Sequence, residues 1–579
     1  MAAPGAAPAD ALADAERHRA DLHQSAEAIV DPLGLAAPIA HAALAWWLHP
    51  LEAAERSRRF AVELEALVLH ALARFAGSKA PDLVAADPDD ARFGAPEWTA
   101  QAGPDVLKQW YLFWTRQIQD AIYATPGLSP KEKRRAAFWS RQWLNAAAPS
   151  NFLATNPVAL RKAAETRGES LARGLGVFLK DLAAGTIRMT EPEDFAVGGN
   201  LATTPGAVVF RNRLIELIHY RPAAGRVRPV PVVIVPPWIN KFYVLDLDAR
   251  KSLVRYLVEH GFDTYIVSWK NPGEATGPAS FDDYLTEGVD EAMRVARAVS
   301  GSEKTHAVGY CIGGTLLSSY MAWLARRHPR EKMPVAHWTL FASLVDFQSP
   351  GDIEVFIDEG SVDYLCNLMR LRGHLDGAEM AMTFRLLRAN PLIWHYVVHG
   401  WLYGEPPPAS DVLYWNMDTT RMPAAMHEFY LREMYLANKL VRPDALTIAG
   451  EPIDLARIHQ DLYAVSSEDD HITPWRQVFR INGHVTGHKR FVLSSSGHIL
   501  GIVNPPVTPP KRHYRAGPAH RGQAADAWLA TVEQRAGSWW EDWSAWLAER
   551  CGEPAAPPPL FTEQFQKLAD APGTYVLER

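Results

Sequence analysis

The sequence predicts an α/β protein: a largely parallel sheet with helices on both faces, preceded by an all-helical region. Three observations carry that prediction. Short apolar runs ending in polar or turn residues recur after residue 200, and helical patterns separate several of them. Before residue 200, runs of β-branched alternation are few and apolar residues recur at helical spacing.

Residues 1–28 are rich in Ala, Asp and Pro, and predict a flexible N-terminus. Residues 29–200 read as a helical domain, because RSRRFAVELEALVLHALARFAG (57–78) and LKQWYLFWTRQIQDAIYA (107–124) each build one apolar face. Residues 201–579 read as the catalytic domain. Its strand candidates are VVIVPPW (232–238), TYIVSW (264–269), HAVGY (306–310), WTLFASLVDF (338–347), DLYAVSS (461–467) and KRFVLSS (489–495). Between them SFDDYLTEGVDEAMRVARAVSG (280–301) opens on Ser280 as N-cap, with Asp283 three residues on, and closes on Gly301. From about 348 to 452 the strand pattern lapses into aromatic-rich helical segments and prolines, which predicts a cap or lid inserted over the active site. After Asn504, NPPVTPPKRHYRAGPAHRG predicts a loop, followed by a Trp-rich helix over 537–550.

A chain of 579 residues exceeds one hydrophobic core, and 48% hydrophobic with 22% charged residues is ordinary folded protein. A net charge of -7 argues against nucleic-acid binding. Three cysteines, at 311, 366 and 551, are too few and too scattered for a disulfide framework or a zinc site, and suit a reducing compartment. The start of the chain lacks the basic and apolar regions of a secretory signal. The apolar stretch 35–48, broken by Pro38 and His41, is too short to span a bilayer. A cytoplasmic protein with no transmembrane segment is expected. Twenty tryptophans are compatible with an amphiphilic ligand surface and equally with a large core.

The strongest local signal is Gly309-Tyr310-Cys311-Ile312-Gly313-Gly314, between the strand HAVGY and the helical TLLSSYMAWLARR. This is G-x-C-x-G, the nucleophile elbow of an α/β-hydrolase fold with Cys in place of Ser. Gly309 and Gly313 allow the tight strand-to-helix reversal that exposes the nucleophile. A helix N-terminus beside a sulfur favours its thiolate. The Ile312 N–H is placed to donate to an oxyanion. A second donor is expected after VVIVPPW. Pro236 and Pro237 have no N–H, which leaves Trp238 or Ile239.

In this fold an acid and then a histidine follow the nucleophile, each after a later strand. DLYAVSS ends in Glu468-Asp469-Asp470-His471 and KRFVLSSS in Gly497-His498. His498 is the expected base and His471 the second choice. The residues alone rank Glu468, Asp469 and Asp470 level, and Asp346, ending the strand after the elbow, is a rival acid.

GYCIGG, PPWINKFYVLDL (236–247), FDTYIVSWKNP (262–272), VLYWNMDTTRMP (412–423), EDDHITPW (468–475) and SSGHILGIVNPP (495–506), with PSNFLATNP (149–157) upstream, together resemble the polyhydroxyalkanoate synthases. The likeness covers about residues 90–579. It implies polymerisation of (R)-3-hydroxyacyl-CoA with release of CoA and a polyester growing on the enzyme; no cofactor or metal is expected. It matches Cys311 to the family nucleophile, His498 to the histidine of S-G-H-I, and Asp470 to the aspartate just before His in E-D-H-I-x-P-W. Here Asp469 is an extra acid ahead of it. The family acts as homodimers under a mobile cap, a behaviour associated with the stretch around Trp415. Granule-associated growth of the polymer is implied as well.

Three points stay open on these residues. The basic loop Lys511, Arg512, Arg515 and Arg521 suits CoA phosphates or simple solvation. The Trp-rich tail suits a polymer granule or the core. The elbow and its partners alone also fit a thioesterase or an intracellular polyester depolymerase, because water and an alcohol attack the same acyl-enzyme. A non-catalytic granule-coating protein is the third reading, and an intact Cys–Asp–His set argues against it.

Overall fold

A computed structural model describes residues 37–87, 90–273 and 277–579. The N-terminus expected to be flexible, residues 1–28, lies outside the described residues. The chain forms two compact units. One runs to Glu191 and takes in 358–364 and 383–408, and the other comprises 192–357, 365–382 and 409–579.

The first unit is helical, with helices Ala37–Leu48, Pro50–Phe75, Ala102–Ala124, Pro130–Ala146, Pro157–Glu165 and Glu169–Ala184 among its elements. Their ends are written locally. Ser129 and Glu132 form a capping box, Asn156 Oδ1 accepts from the N–H groups of Val158 and Ala159 at 3.0 Å each, and Gly185 closes the last helix at φ 65°. Leu67, Phe93, Trp98 and Phe113 form its core. Beside them the buried Asp105 carboxylate is matched by Arg74 at 2.8 Å, His70 at 3.0 Å and Lys108 at 3.3 Å, so no charge is buried alone.

The second unit is built on an eleven-stranded sheet. Its strands are β1 (Gly206–Arg211), β2 (Ile215–Tyr220), β3 (Arg228–Val235), β4 (Phe262–Trp269), β5 (Thr305–Tyr310), β6 (Val335–Phe341), β7 (Asp461–Ser467), β8 (Lys489–Ser494), β9 (His513–Pro518), β10 (Gln534–Ala536) and β11 (Ala569–Asp570). The order across the sheet is β10-β9-β8-β7-β6-β5-β3-β4-β2-β1-β11. The six strands from β4 to β8 in that order are parallel, and those beyond them pair antiparallel. Register sets Gly309 opposite Val235 and Leu340, Phe341 opposite Val465, and Ser467 opposite Ser494. The C-terminal ends of β5, β7 and β8 therefore lie along one edge, where open α/β sheets place their ligand sites.

Two expectations are corrected. The strand expected to run to Phe347 stops at Phe341, because Ala342, whose N–H makes the last bond to Val465 O at 2.8 Å, turns to φ 43°. The segment after Asn504, expected to be a loop, contains β9, which pairs with β8 from Arg490↔Pro518 to Ser494↔Tyr514. In the hairpin β1–β2, buried polar groups interrupt the apolar run of β2. Glu216 accepts from Arg211 and from the backbone of Thr574 and Tyr575, and His219 meets Asp263 at 2.7 Å.

The Trp-rich helix Trp539–Ala548 packs into the core. Trp539, Trp540, Trp543 and Trp546 are all buried, and their sheet-side neighbours include Phe341 and Tyr463. Indole N–H groups donate to Gly501 O (2.8 Å), Ile502 O (2.9 Å) and Thr339 Oγ1 (3.0 Å), so these rings form a hydrogen-bonded wall under the sheet. Between 348 and 452 the described strands are two-residue pairs only, His374–Leu375 with Met422–Pro423 and Thr447–Ile448 with Glu451–Pro452.

Candidate active site

The elbow holds Cys311 at φ 54°, ψ −126°, a backbone conformation that side chains rarely adopt. It is pinned there by its own N–H, which donates to Phe341 O at 2.9 Å. The flanking glycines are steric requirements. A Cβ on Gly309 would lie 2.5 Å from Gly314 Cα, and one on Gly313 would lie 2.7 Å from Pro236 O and closer still to Val235 O. Cys311 is half-buried, whereas Cys366 and Cys551 are fully buried. Ile312 opens the helix Ile312–Arg327, a position where N–H groups have no intrahelical acceptor.

His498 lies just past β8 and Asp470 just past β7. His498 Nδ1 and Asp470 Oδ2 are 2.7 Å apart, and both side chains are buried. The imidazole is gripped from a second side by Tyr310, whose ring stacks at 5.7 Å and whose hydroxyl donates to His498 O at 3.2 Å. Burial pulls the His498 pKa down. The Asp470 carboxylate outweighs it, and Cys311 adds charge and hydrogen bonding, so the ring rises from 6.5 to about 10. Burial pushes Asp470 up, but the charge and hydrogen bond of His498, together with Thr473, hold it below the usual carboxylate range. The Asp470 carboxylate has a donor in every quarter: Ile472 N–H and Thr473 N–H on Oδ1, both at 2.9 Å, and Thr473 Oγ (2.7 Å) beside the imidazole on Oδ2.

The other acids have different partners. Asp346 binds Arg480 at 2.7 Å, Asn438 at 3.0 Å and His484 at 3.5 Å; burial raises its pKa, but these partners hold it at about 2. Glu468 pairs with His513 at 3.1 Å. The Asp469 N–H donates to Ser496 O. The His471 carbonyl accepts from Asp352 N–H at 3.3 Å.

The loop after β3 is fixed by the segment around Trp415. Thr420 donates its hydroxyl to Trp238 O and its N–H to Ile239 O, at 3.2 Å for the latter. Trp415 is buried, with its indole N–H 2.7 Å from Lys241 O, and Asp418 takes Lys241 Nζ at 2.7 Å and Tyr243 OH at 2.9 Å. Two of the segments behind the family resemblance thus pack on each other, and Ile239, the candidate second oxyanion donor, sits between anchored neighbours. Trp238 packs its ring against Trp269 and Tyr284. In the basic loop, Arg515 donates to Val532 O at 3.1 Å and Arg521 to Gly483 O at 3.2 Å.

Sequence reading missed Tyr310 and Thr473 as supports of the pair, and also Tyr430 and Tyr435. These last two lie on the π-helical stretch Tyr430–Leu436; their rings meet edge to face at 5.2 Å against Phe347, and burial, with a smaller contribution from the nearby Cys311, raises the pKa of both hydroxyls. No sequence signal marks them, because only the fold returns this segment to the elbow. Among the described residues no cluster of His, Cys, Asp or Glu is arranged to hold a metal, and no helix is long and apolar enough to cross a membrane.

A strained elbow after β5, with an acid and a histidine meeting beyond β7 and β8 on a sheet of this order, defines an α/β-hydrolase fold. A family model described as alpha/beta hydrolase fold matches residues 230–505, and one described as Poly-beta-hydroxybutyrate polymerase (PhaC) N-terminus matches 89–257. The chain is 38% identical to the poly(3-hydroxyalkanoate) polymerase of Methylorubrum extorquens, over 92% of this chain and 88% of that protein. It is 39% identical to the polymerase subunit PhaC of Cupriavidus necator (84% and 83% covered) and 38% identical to polymerase 1 of Ectopseudomonas oleovorans (92% of each). The chain belongs to the poly(3-hydroxyalkanoate) polymerase family.

Proposed function

We propose that this protein is an acyltransferase that polymerises (R)-3-hydroxyacyl groups from their CoA thioesters, with Cys311 carrying the growing chain. The observation that carries the reading is the 2.7 Å contact of His498 with Asp470 beside the strained Cys311, in a chain of this family. The thiol proton passes to His498, whose raised pKa beside Asp470 and Cys311 favours the imidazolium, and the thiolate attacks the thioester carbonyl. The tetrahedral oxyanion is met by the N–H groups of Ile312 and Ile239. The carbon–sulfur bond to CoA then breaks, and CoA leaves with the proton from His498. In the second half His498 takes the proton of a 3-hydroxyl group. The oxygen of this incoming 3-hydroxyacyl-CoA attacks the Cys311 thioester, an ester bond forms as the carbon–sulfur bond breaks, and the Cys311 sulfur leaves with the proton from His498. The chain, one unit longer and still a CoA thioester, is taken up again by Cys311. Asp470 keeps the Nδ1 proton in place and balances the imidazolium throughout.

Water would divert the acyl-enzyme to hydrolysis, so the site must be kept dry. The interval 348–452 supplies the cap in this reading, which is supported by its delivery of Tyr430 and Tyr435 to the neighbourhood of Cys311. The working form is a cytoplasmic homodimer at the polymer surface. Large apolar side chains exposed on the helical unit, among them Trp47, Leu51, Phe75 and Leu182, support association with such a surface. The test is a thiol assay of CoA release with C4 and C8 3-hydroxyacyl-CoA, coupled to isolation of the product. Polymer formed in proportion to CoA is expected. CoA release without polymer would transfer the protein to the thioesterases.

A further inference from the structure

We propose that Thr473 is a positioning residue whose hydroxyl locks the Asp470 carboxylate and the His498 ring into one tautomer and one orientation. The inference rests on the site reading above and concerns a residue that acts through its contacts to Asp470 and His498. Thr473 donates twice to one carboxylate, through its N–H to Oδ1 at 2.9 Å and through Oγ to Oδ2 at 2.7 Å. Rotation of the carboxylate about its last torsion would break both bonds at once. Thr473 is itself 4% exposed and β-branched, so its Oγ has little freedom to follow. Pro474 comes next and stiffens the backbone on that side.

The same Oγ lies 3.3 Å from His498 Nδ1. With the Thr473 hydroxyl hydrogen engaged on Asp470, both atoms facing Nδ1, Asp470 Oδ2 and Thr473 Oγ, are acceptors. The ring therefore keeps its proton on Nδ1 and presents Nε2 as the base. A carboxylate alone could rotate or draw the ring off line. The triangle of carboxylate, hydroxyl and imidazole removes that freedom, which matters because a base misplaced by about 1 Å loses on the order of 100-fold in rate.

The experiment compares Thr473→Val, which keeps the shape and removes the hydroxyl, with Thr473→Ser, which keeps the hydroxyl, and with Asp470→Asn, in the full chain. Thr473→Val is expected to lower kcat for CoA release about 10- to 30-fold with KM within about twofold. Thr473→Ser is expected to stay within about threefold of the parent. A Thr473→Val enzyme with parental kcat, or a Ser variant as slow as the Val variant, overturns the proposal. Thermal melting verifies folding, and Thr473→Ala removes the same hydroxyl without crowding should the Val variant unfold. If Asp470→Asn is fully active, the reading of the site falls; if it is slow while Thr473→Val is not, the positioning role alone falls.

Discussion

Asp470 Oδ2 lies 2.7 Å from His498 Nδ1 although 28 positions separate the two residues, and neighbouring parallel strands bring them together. Asp346 and Glu468 stand after comparable strands, but other side chains engage them, Arg480 on Asp346 and His513 on Glu468. Asp470→Asn should therefore lower kcat by about 10²–10⁴-fold, because the amide reverses the hydrogen bond that orders the ring. Asp346→Asn should leave the chemistry intact and cost stability through its lost ion pairs. Steady-state CoA release and thermal melts of both variants check this.

The pair also predicts how stability varies with pH. The folded-state pKa of His498 is raised from 6.5 to about 10, so its contribution is fully present below about pH 6.5 and is lost as pH rises toward 10. Asp470 is held below the ordinary carboxylate pKa of 3.8, so its contribution is present above pH 3.8 and is lost as pH falls further. The pair's contribution is greatest from about pH 4 to 6.5. Melting temperatures of His498→Gln across pH 4 to 10, set against the parent, should show a difference that shrinks on the alkaline side.

Cys311→Ser should fold and bind substrate but polymerise poorly, because an alcohol in this site is a weaker nucleophile than a thiolate and forms an oxygen ester less activated for transfer. Trapping of labelled substrate without polymer is the expected outcome. Full polymerase activity in that variant would remove Cys311 from the mechanism.

Gly313→Ala brings a Cβ to 2.7 Å from Pro236 O at the back of the elbow. Backbone cannot yield there cheaply, so a loss of about 1–3 kcal/mol is expected. Denaturant titration measures it, and activity should fall further than stability because the shift also moves Cys311.

The segment around Trp415 is a structural anchor for the loop after β3. Trp415→Phe leaves Lys241 O without its buried donor, a cost of about 1–3 kcal/mol. A lowered melting temperature with near-parental KM is the expected signature.

The amino-acid sequence by itself determined the parallel core of the sheet, the elbow at Gly309–Gly313 and the end of the Ser280–Gly301 helix. Each rests on local chemistry: continuous apolar runs, glycines that a turn demands, a capping side chain and a stop. It left the hairpin β1–β2 unread, since Glu216 and His219 look exposed until Thr574, Tyr575 and Asp263 supply partners from far along the chain. The strand His513–Pro518 was hidden among prolines and basic residues, and only pairing with β8 makes it a strand. The residues alone left three consecutive acids level and only the family resemblance singled out Asp470; which threonine braces the imidazole and which tyrosines approach the sulfur were decided by tertiary structure alone. Those choices depend on ångström distances between side chains far apart in sequence, and no local pattern encodes such distances.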